Sequence, residues 1–62
     1  MKEIGEMIKN RRNELQLTQQ NLADLAEVGI NTVVAIERGT GNPSLGTLQK
    51  ICDVIGYRVS LE

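Results

Sequence analysis

Two short amphipathic segments with almost nothing between them constrain this chain more than any other feature. Apolar residues recur at intervals of three and four over residues 19–26, which predicts a helix there. A second helical pattern covers residues 30–38, and only residues 27–29 separate the two. Because Ala23 and Ala26 are small, the second helix can cross the first closely. We therefore expect two helices that meet at a steep angle, about 90–120° for a pair joined this tightly.

Two further helices are predicted on either side of this pair. Helical spacing predicts the first over residues 2–15, and the pattern breaks before Thr18, a suitable N-cap. Gly39 is suited to end the third helix, and Ser44 is placed to cap a fourth that Gly56 closes. The apolar positions of the first and fourth helices are Ile4, Met7, Ile8, Leu15, Leu45, Leu48, Ile51, Cys52 and Ile55. The predicted fold class is therefore all-α, with four helices.

Residues 57–62 alternate apolar and polar side chains, which is the period of a β-strand. No other segment has this pattern, so the backbone groups of such a strand need a partner from outside the chain. The simplest partner is the same strand of a second copy, paired antiparallel about a twofold axis, with Tyr57, Val59 and Leu61 as its apolar residues. A disordered tail that alternates by chance is the alternative. We expect a homodimer.

Length and cysteine content limit the remaining possibilities. The 62 residues make one domain, 1–62, and a domain this small buries only about 60% of its unfolded surface, which also favours a second copy. Cys52 is the only cysteine, so no disulfide can form within the chain. A single thiol and no secretory segment indicate a reducing cytoplasm. No apolar run is long enough to span a membrane.

Charge and side-chain chemistry exclude most catalytic functions. The formal net charge of −1 argues mildly against a nucleic-acid binder, although a net charge near zero is compatible with one basic face. There is no histidine, no cluster of metal ligands and no activated nucleophile, so we expect no enzyme, no metal site and no cofactor. Tyr57 is the only aromatic residue, which leaves no platform for stacking single-stranded bases.

The segment LTQQNLADLAEVGINTVVAIERG, Leu17 to Gly39, resembles the helix-turn-helix of the Cro/phage-repressor (XRE) family. The flanking segments RRNELQLTQ and GNPSLGTLQKICDVIG resemble the first and fourth helices of that family. The resemblance implies a four-helix repressor-like domain with its helix-turn-helix at about residues 18–38. It also implies a transcriptional regulator of double-stranded DNA, in the usual case a repressor that binds an inverted repeat as a dimer.

The last segment, YRVSLE, resembles HipB-like antitoxins, which dimerise through a C-terminal strand. Such proteins bind their own operator and also hold a HipA-like kinase toxin. The resemblance therefore implies an alternative function, an antitoxin or protein-interaction module with autoregulation. The acidic balance of the chain favours the same alternative.

Positions that match the family's motif receive implied roles. Arg12 and Glu37 would form an ion pair between the first helix and the end of the third, with Arg11 facing outward. Gln19 would contact a DNA phosphate at the positive end of the second helix. The base-facing residues would be Ile30, Asn31, Thr32 and Ala35. Independently of the family, we expect phosphate to be bound by the Arg38 side chain and the amides of Thr40, Gly41 and Asn42. The alternative is that these groups belong to a solvated surface that binds nothing.

The outer face of the third helix carries little that can recognise a base. Only Asn31 can make a bidentate pair, most naturally with N6 and N7 of adenine, and a solvated first-turn residue is its alternative. Ile30, Val34 and Ala35 can only meet thymine methyl groups or exclude water. Since no arginine stands at the N-terminal end of the third helix to bind guanine, much of the specificity would come from DNA shape and half-site spacing.

Three residues depart from the family's pattern. Glu27 stands where a glycine is usual, so either it adopts a left-handed conformation, at a cost of about 1 kcal/mol, or the turn shifts towards Gly29. Gln16 likewise replaces a common glycine at the end of the first helix. Gly29 stands in for the usual serine or threonine cap of the third helix, which costs only a few tenths of a kcal/mol.

Overall fold

A computed structural model describes residues 2–57, and this range contains four helices. They are α1 (Lys2–Glu14), α2 (Gln19–Ala26), α3 (Ile30–Arg38) and α4 (Leu45–Ile55). The four predicted helices are confirmed, with α1 ending one residue earlier than expected. Val59 and Leu61 lie outside the described residues, so the dimer strand stays a prediction. No helix within the described range is long and apolar enough to cross a membrane.

Side-chain caps fix where α2 and α4 begin. The Thr18 hydroxyl accepts from the Asn21 N–H at 2.9 Å, and the Asn21 side chain accepts from the Thr18 N–H at 3.0 Å, which is a capping box. The Ser44 hydroxyl accepts from the Thr47 N–H at 3.2 Å. Each cap is worth about 1 kcal/mol relative to alanine. The breaks predicted from single residues are therefore set by local hydrogen bonds, as is the end of α3 at Gly39 with a φ of 77°.

All four helices contribute to one apolar core. Both α1 and α2 pack on α3 and α4. The buried core residues are Ile8, Leu22, Ala23, Ala26, Val33, Ile36, Ile51 and Ile55. Of the apolar set predicted for α1 only Ile8 is buried, whereas Ile4, Met7 and Leu15 are exposed, as is Leu45 of the set predicted for α4. The buried residues of α1 are Gly5, Ile8 and Arg12, which share one helical face.

Gly5 is buried because the backbones of α1 and α3 meet there. A Cβ atom at Gly5 would overlap the carbonyl oxygen of Ile36 and would lie 3.0 Å from that of Glu37. At the end of α3, a Cβ atom at Gly39 would lie 2.7 Å from the Cα of Lys2. The first turn of α1 therefore lies directly against the last turn of α3, with no side chain between them.

The turn between α2 and α3 keeps its usual place despite Glu27. This residue has φ 58° and ψ 43°, so it takes the left-handed conformation, and Gly29 stays extended with φ −71°. The Val28 N–H donates to the carbonyl oxygen of Ala23 at 3.0 Å, which closes the end of α2. Gln16 is also left-handed, with φ 60°. Of the two possibilities left open by the sequence, the chain accepts strain and does not shift the turn.

Replacing Glu27 with glycine should raise the free energy of unfolding by about 1 kcal/mol, since it removes the left-handed strain of a side chain. Urea unfolding followed by circular dichroism measures the change. Glu27→Ala is the control, because it removes the charge and keeps the strain. An equal gain in the alanine variant would assign the effect to charge and contradict the strain.

Candidate nucleic-acid interface

Helix α3 has one face in the core and the opposite face open. Val33, Ile36 and Glu37 are buried. Asn31 is exposed, as is Arg38 at the far end of the helix. The face that the sequence assigned to bases is therefore accessible, with Thr32, Val34 and Ala35 half-buried along it.

Ile30 differs from the other predicted base-facing residues because its side chain also packs against the core. Its side chain is half-buried and packs against the core cluster. The Ile30 side chain therefore packs the N-terminal end of α3 against the rest of the domain. The family's pattern implied that Ile30 faces the bases, and its half-buried side chain presents only part of its surface to solvent.

A depression in the surface joins the outer face of α3 to the loop that follows. Its volume is about 310 Å³. The residues that line it are Asn31, Thr32, Ala35, Ile36, Gly41, Asn42 and Pro43. Three predicted base-facing residues and one predicted phosphate contact, Asn42, therefore share one concave site. The loop forms the side wall of this site.

Two of the loop amides that were predicted to bind phosphate are already hydrogen-bonded within the protein, which corrects that part of the prediction. The N–H groups of Thr40 and Gly41 donate to the carbonyl oxygen of Ala35, at 3.0 and 3.2 Å. The Thr40 hydroxyl also points to this oxygen, at 3.4 Å. All three groups contact the single carbonyl oxygen of Ala35, in the last turn of α3, where helix carbonyls lack partners within the helix. Asn42 and Thr40 keep exposed side chains that can meet a phosphate.

Arg12 and Glu37 form a buried, bidentate ion pair. Arg12 Nε donates to Glu37 Oε2 at 2.7 Å, and Nη2 donates to Oε1 at 3.0 Å. Nη1 donates to the carbonyl oxygen of Leu17 at 2.8 Å. Both side chains are less than one-tenth exposed. The pair links α1, the segment before α2, and the last turn of α3, so it fixes the helix-turn-helix on the rest of the domain.

Gln19 belongs to this network as well as to the surface. Its side-chain nitrogen donates to Glu37 Oε1 at 3.1 Å. The same nitrogen carries a second hydrogen, and the Gln19 backbone N–H is at the first position of α2, where helices have no internal acceptor. Sequence reasoning assigned Gln19 to phosphate alone and missed its bond to Glu37. The spacing in sequence, 18 residues, carries no signal for that contact.

Arg11 does not simply face solvent as the sequence suggested. Its Nε donates to the carbonyl oxygen of Ile55 at 3.0 Å, at the C-terminal end of α4. Its guanidinium carbon lies 5.8 Å from the centroid of the Tyr57 ring, within cation–π range. A positive charge at this end of a helix is favourable. Arg11 therefore links α1 to the C-terminal end of α4 and to the segment that follows it.

Cys52 is a core residue and not a reactive thiol. It is buried and free. Burial, and secondly the neighbouring Asp53, raises the pKa of the thiol, which disfavours the nucleophilic thiolate. Among residues 2–57 there is also no group of three or more side chains that could hold a metal ion.

Comparison with known proteins gives this arrangement of helices a family. The chain matches the family model described as helix-turn-helix over residues 8–61. It belongs to the Cro/phage-repressor (XRE) family. Among solved structures, a chain of the SinR protein/SinI protein complex has the same fold, with a TM-score of 0.83 and 34% sequence identity. The match covers 89% of the present chain and 54% of that chain.

Relatives within the XRE family include two phage repressors. The immunity repressor protein of Bacillus phage phi105 is 40% identical over 57 residues, which are 92% of this chain and 40% of the repressor. The transcriptional repressor RstR of the cryptic phage CTXphi of Vibrio cholerae is 36% identical over 53 residues, 86% of this chain and 48% of RstR. An uncharacterised helix-turn-helix transcriptional regulator of Methanothermobacter thermautotrophicus is 38% identical over 50 residues, 81% of this chain and 72% of its own length. The chain thus spans about half or less of the two repressors.

Proposed function

We propose that this chain binds double-stranded DNA in a sequence-specific way and regulates transcription, with α3 in the major groove. The observation that carries the proposal is the division of α3 into two faces. One face is held by the core and the Arg12–Glu37 pair, and the other presents Asn31 to solvent beside a concave site. A helix held on one side and open on the other is what a groove-reading helix requires. Membership of the XRE family, and the two repressors among the relatives, support it.

Asn31 is the residue proposed to read a base. Its amide offers one donor and one acceptor, which match N7 and N6 of adenine, and such a pair is worth about 1–3 kcal/mol of discrimination. Gln19 is proposed to contact a phosphate through its backbone N–H at the positive end of α2. Arg38, Thr40 and Asn42 are proposed to contact phosphates on either side of the groove.

Two copies are proposed to act together as a repressor on an inverted repeat. A single domain with one bidentate reader has little specificity, and pairing doubles the number of bases read. The α3 helices of a dimer would enter successive major grooves about 34 Å apart. The proposed contact between copies is the strand that contains Tyr57, Val59 and Leu61. Sedimentation equilibrium of the whole chain tests the dimer, and a monomer at micromolar concentration would exclude it.

The first test is the salt dependence of binding to duplexes selected from a random pool. The logarithm of the association constant should fall with the logarithm of salt concentration, with a slope of about −0.9 per phosphate neutralised. Selected sequences should show a palindrome with half-sites one helical turn apart. Selection of no sequence above background, or affinity that ignores salt, would remove the proposal.

Asn31→Ala should weaken binding to the selected duplex by about 1–3 kcal/mol and relax the preference at one A·T pair in each half-site. Fluorescence anisotropy with each of the four base pairs at that position measures the change. Asn10→Ala is the matched control, because Asn10 is an exposed asparagine that belongs to α1 and does not line the depression beside α3. A loss of the same size in both variants would remove Asn31 as the reader.

A second candidate is a protein-interaction module, such as an antitoxin that holds a HipA-like toxin. The net charge of −1 and the apolar residues Val34 and Ala35 on the open face favour it. The complex of the SinR relative also contains a second protein, SinI. Co-expression with a neighbouring HipA-like kinase, where one is encoded, tests this function. Tight operator binding together with no complex would exclude it.

A further inference from the structure

One side of α1 exposes a row of three large apolar side chains. Ile4, Met7 and Leu15 are 38, 44 and 39% exposed. Their spacing in sequence places them on one side of the helix. The helical turn continues as far as Leu15, because its N–H donates to the carbonyl oxygen of Arg11 at 3.1 Å. We call this surface, made of Ile4, Met7, Arg11 and Leu15, the outer face of α1.

The outer face of α1 differs from the other apolar exposures of the domain. Within the described residues, α2 and α4 each expose one large apolar side chain, Leu25 and Leu45. Single apolar residues on a surface are ordinary, whereas contiguous ones mark interaction surfaces. The outer face of α1 is therefore the part of the described surface that most resembles an interface.

The outer face of α1 also meets the end of the described chain. Arg11 lies within the row, four residues from the apolar side chain on either side of it. Its Nε donates to the carbonyl oxygen of Ile55 at 3.0 Å, and its guanidinium carbon lies 5.8 Å from the centroid of the Tyr57 ring. The Tyr57 N–H donates to the carbonyl oxygen of Cys52 at 2.9 Å, so the backbone is still held by α4 at that residue. The chain therefore continues from a point beside the outer face of α1.

We propose that the outer face of α1 packs against the C-terminal segment, residues 57–62, of a second copy of this chain. The inference rests on the proposed dimer, in which this segment pairs with its twin as an antiparallel strand. It makes α1 the second part of an interface that otherwise consists of the two strands alone.

A ribbon of two strands needs such a helix face. Two strands alone are marginally stable in water, and packing against a helix is one way in which they become stable. Side chains directly opposite each other in an antiparallel pair lie on the same face. With the twofold axis at Val59, Tyr57 would stand opposite Leu61 of the second copy, and the apolar side chains of both strands would share one face. Because Tyr57 lies beside Arg11, this register brings Leu61 of the second copy to the outer face of α1.

Met7→Lys tests the outer face of α1 by its effect on dimerisation. Lysine is a good helix former and Met7 is exposed, so the variant should stay folded, which circular dichroism checks. Sedimentation equilibrium of the whole chain should show a dimer dissociation constant raised at least about tenfold, because a symmetric interface loses two half-exposed methionines at once.

Leu25→Lys is the matched control for Met7→Lys. Leu25 is 60% exposed, so it is the more accessible of the two apolar residues, but it belongs to α2. The dissociation constant should change by less than about twofold, as is usual for a surface substitution. An equal loss in both variants would assign the effect to the added charge and contradict the proposal.

Cross-linking identifies what covers the outer face of α1. Chains with Met7→Cys are mixed with chains with Leu61→Cys under oxidising conditions, and each variant alone is the control. Cys52 is buried and should not react. A disulfide-linked dimer that exceeds both controls supports packing of one copy on the other. If a chain with both substitutions closes an internal disulfide and the mixture forms none, the segment covers α1 of its own chain and the proposal is wrong.

The outcomes separate the inference from the proposed function. If the chain is a dimer and Met7→Lys leaves its dissociation constant unchanged, α1 is not part of the interface and the proposed dimer stands. If the chain is a monomer at micromolar concentration, the proposed dimer fails and the inference fails with it. The selection of duplexes tests DNA binding independently of both.

Discussion

Replacing Glu37 with leucine should lower the free energy of unfolding by about 3–5 kcal/mol, the effect of removing one partner from a buried ion pair. Arg12 would lose its acceptors at Nε and Nη2 and keep only the carbonyl oxygen of Leu17. A domain of this length has roughly 3–9 kcal/mol of stability in total. We therefore expect the variant to be largely unfolded at 37 °C, as measured by urea and thermal unfolding.

Two controls distinguish a lost charge pair from a lost contact. Arg12→Met combined with Glu37→Leu removes both charges and should recover most of the stability, because no uncompensated charge remains. Glu14→Gln removes an exposed pair, in which Arg11 and Glu14 lie 3.8 Å apart, and should change stability by less than about 1 kcal/mol. A loss in Glu37→Leu no larger than that in Glu14→Gln would mean that Arg12 is not isolated from water.

Gly5→Ala should destabilise the domain by about 2 kcal/mol or more, although alanine is the better helix former. Helix propensity alone would favour alanine by about 1 kcal/mol. The new Cβ atom, however, would overlap the Ile36 carbonyl oxygen, and a backbone atom cannot rotate away as a side chain can. The helices α1 and α3 would have to separate, and overpacking usually costs about 1–3 kcal/mol and occasionally more. An overlap with a backbone atom belongs at the upper end of this range, and the propensity gain of about 1 kcal/mol offsets only part of it.

Gly46→Ala is the matched control for Gly5→Ala. Gly46 is also a helical glycine, but the nearest atom to its added Cβ is the Ser44 hydroxyl oxygen at 3.9 Å. Here alanine meets no obstacle, and we expect a gain of about 0.5–1 kcal/mol in urea unfolding. If both alanines stabilise equally, the crossing of α1 and α3 is wider than the structure describes.

The helices and their ends were predictable because their causes lie within a few residues. The Thr18 cap acts on Asn21 and the Ser44 cap on Thr47, so each signal and its effect share one turn. Apolar spacing also assigned the core face of α3 correctly at Val33 and that of α4 at Ile51 and Ile55, although Leu45 of the predicted α4 set is exposed. The apolar spacing failed on α1, whose buried stripe contains a glycine and an arginine in place of further apolar side chains.

The contacts of the candidate site were less predictable because they join distant parts of the chain. Arg11 meets the carbonyl oxygen of Ile55, 44 residues away, and nothing in the local sequence marks Ile55 as its partner. The same is true of Gln19 and Glu37. The Thr40 amide was predicted to bind phosphate because it lies in a polar loop. The sequence does not show that the end of α3 accepts this hydrogen bond.

Periodicity and capping residues determine the four helices, and the family pattern selects α3 as the helix proposed to face DNA. Both are properties of short stretches, so the amino-acid sequence is sufficient for them. Which face of α1 is buried, why Gly5 must lack a side chain, and how Asn31 and Ala35 come to share a concavity with Pro43 were decided only when the helices packed. Packing brings together atoms far apart in sequence, and the space left between them is a property of the assembled core and not of any one segment.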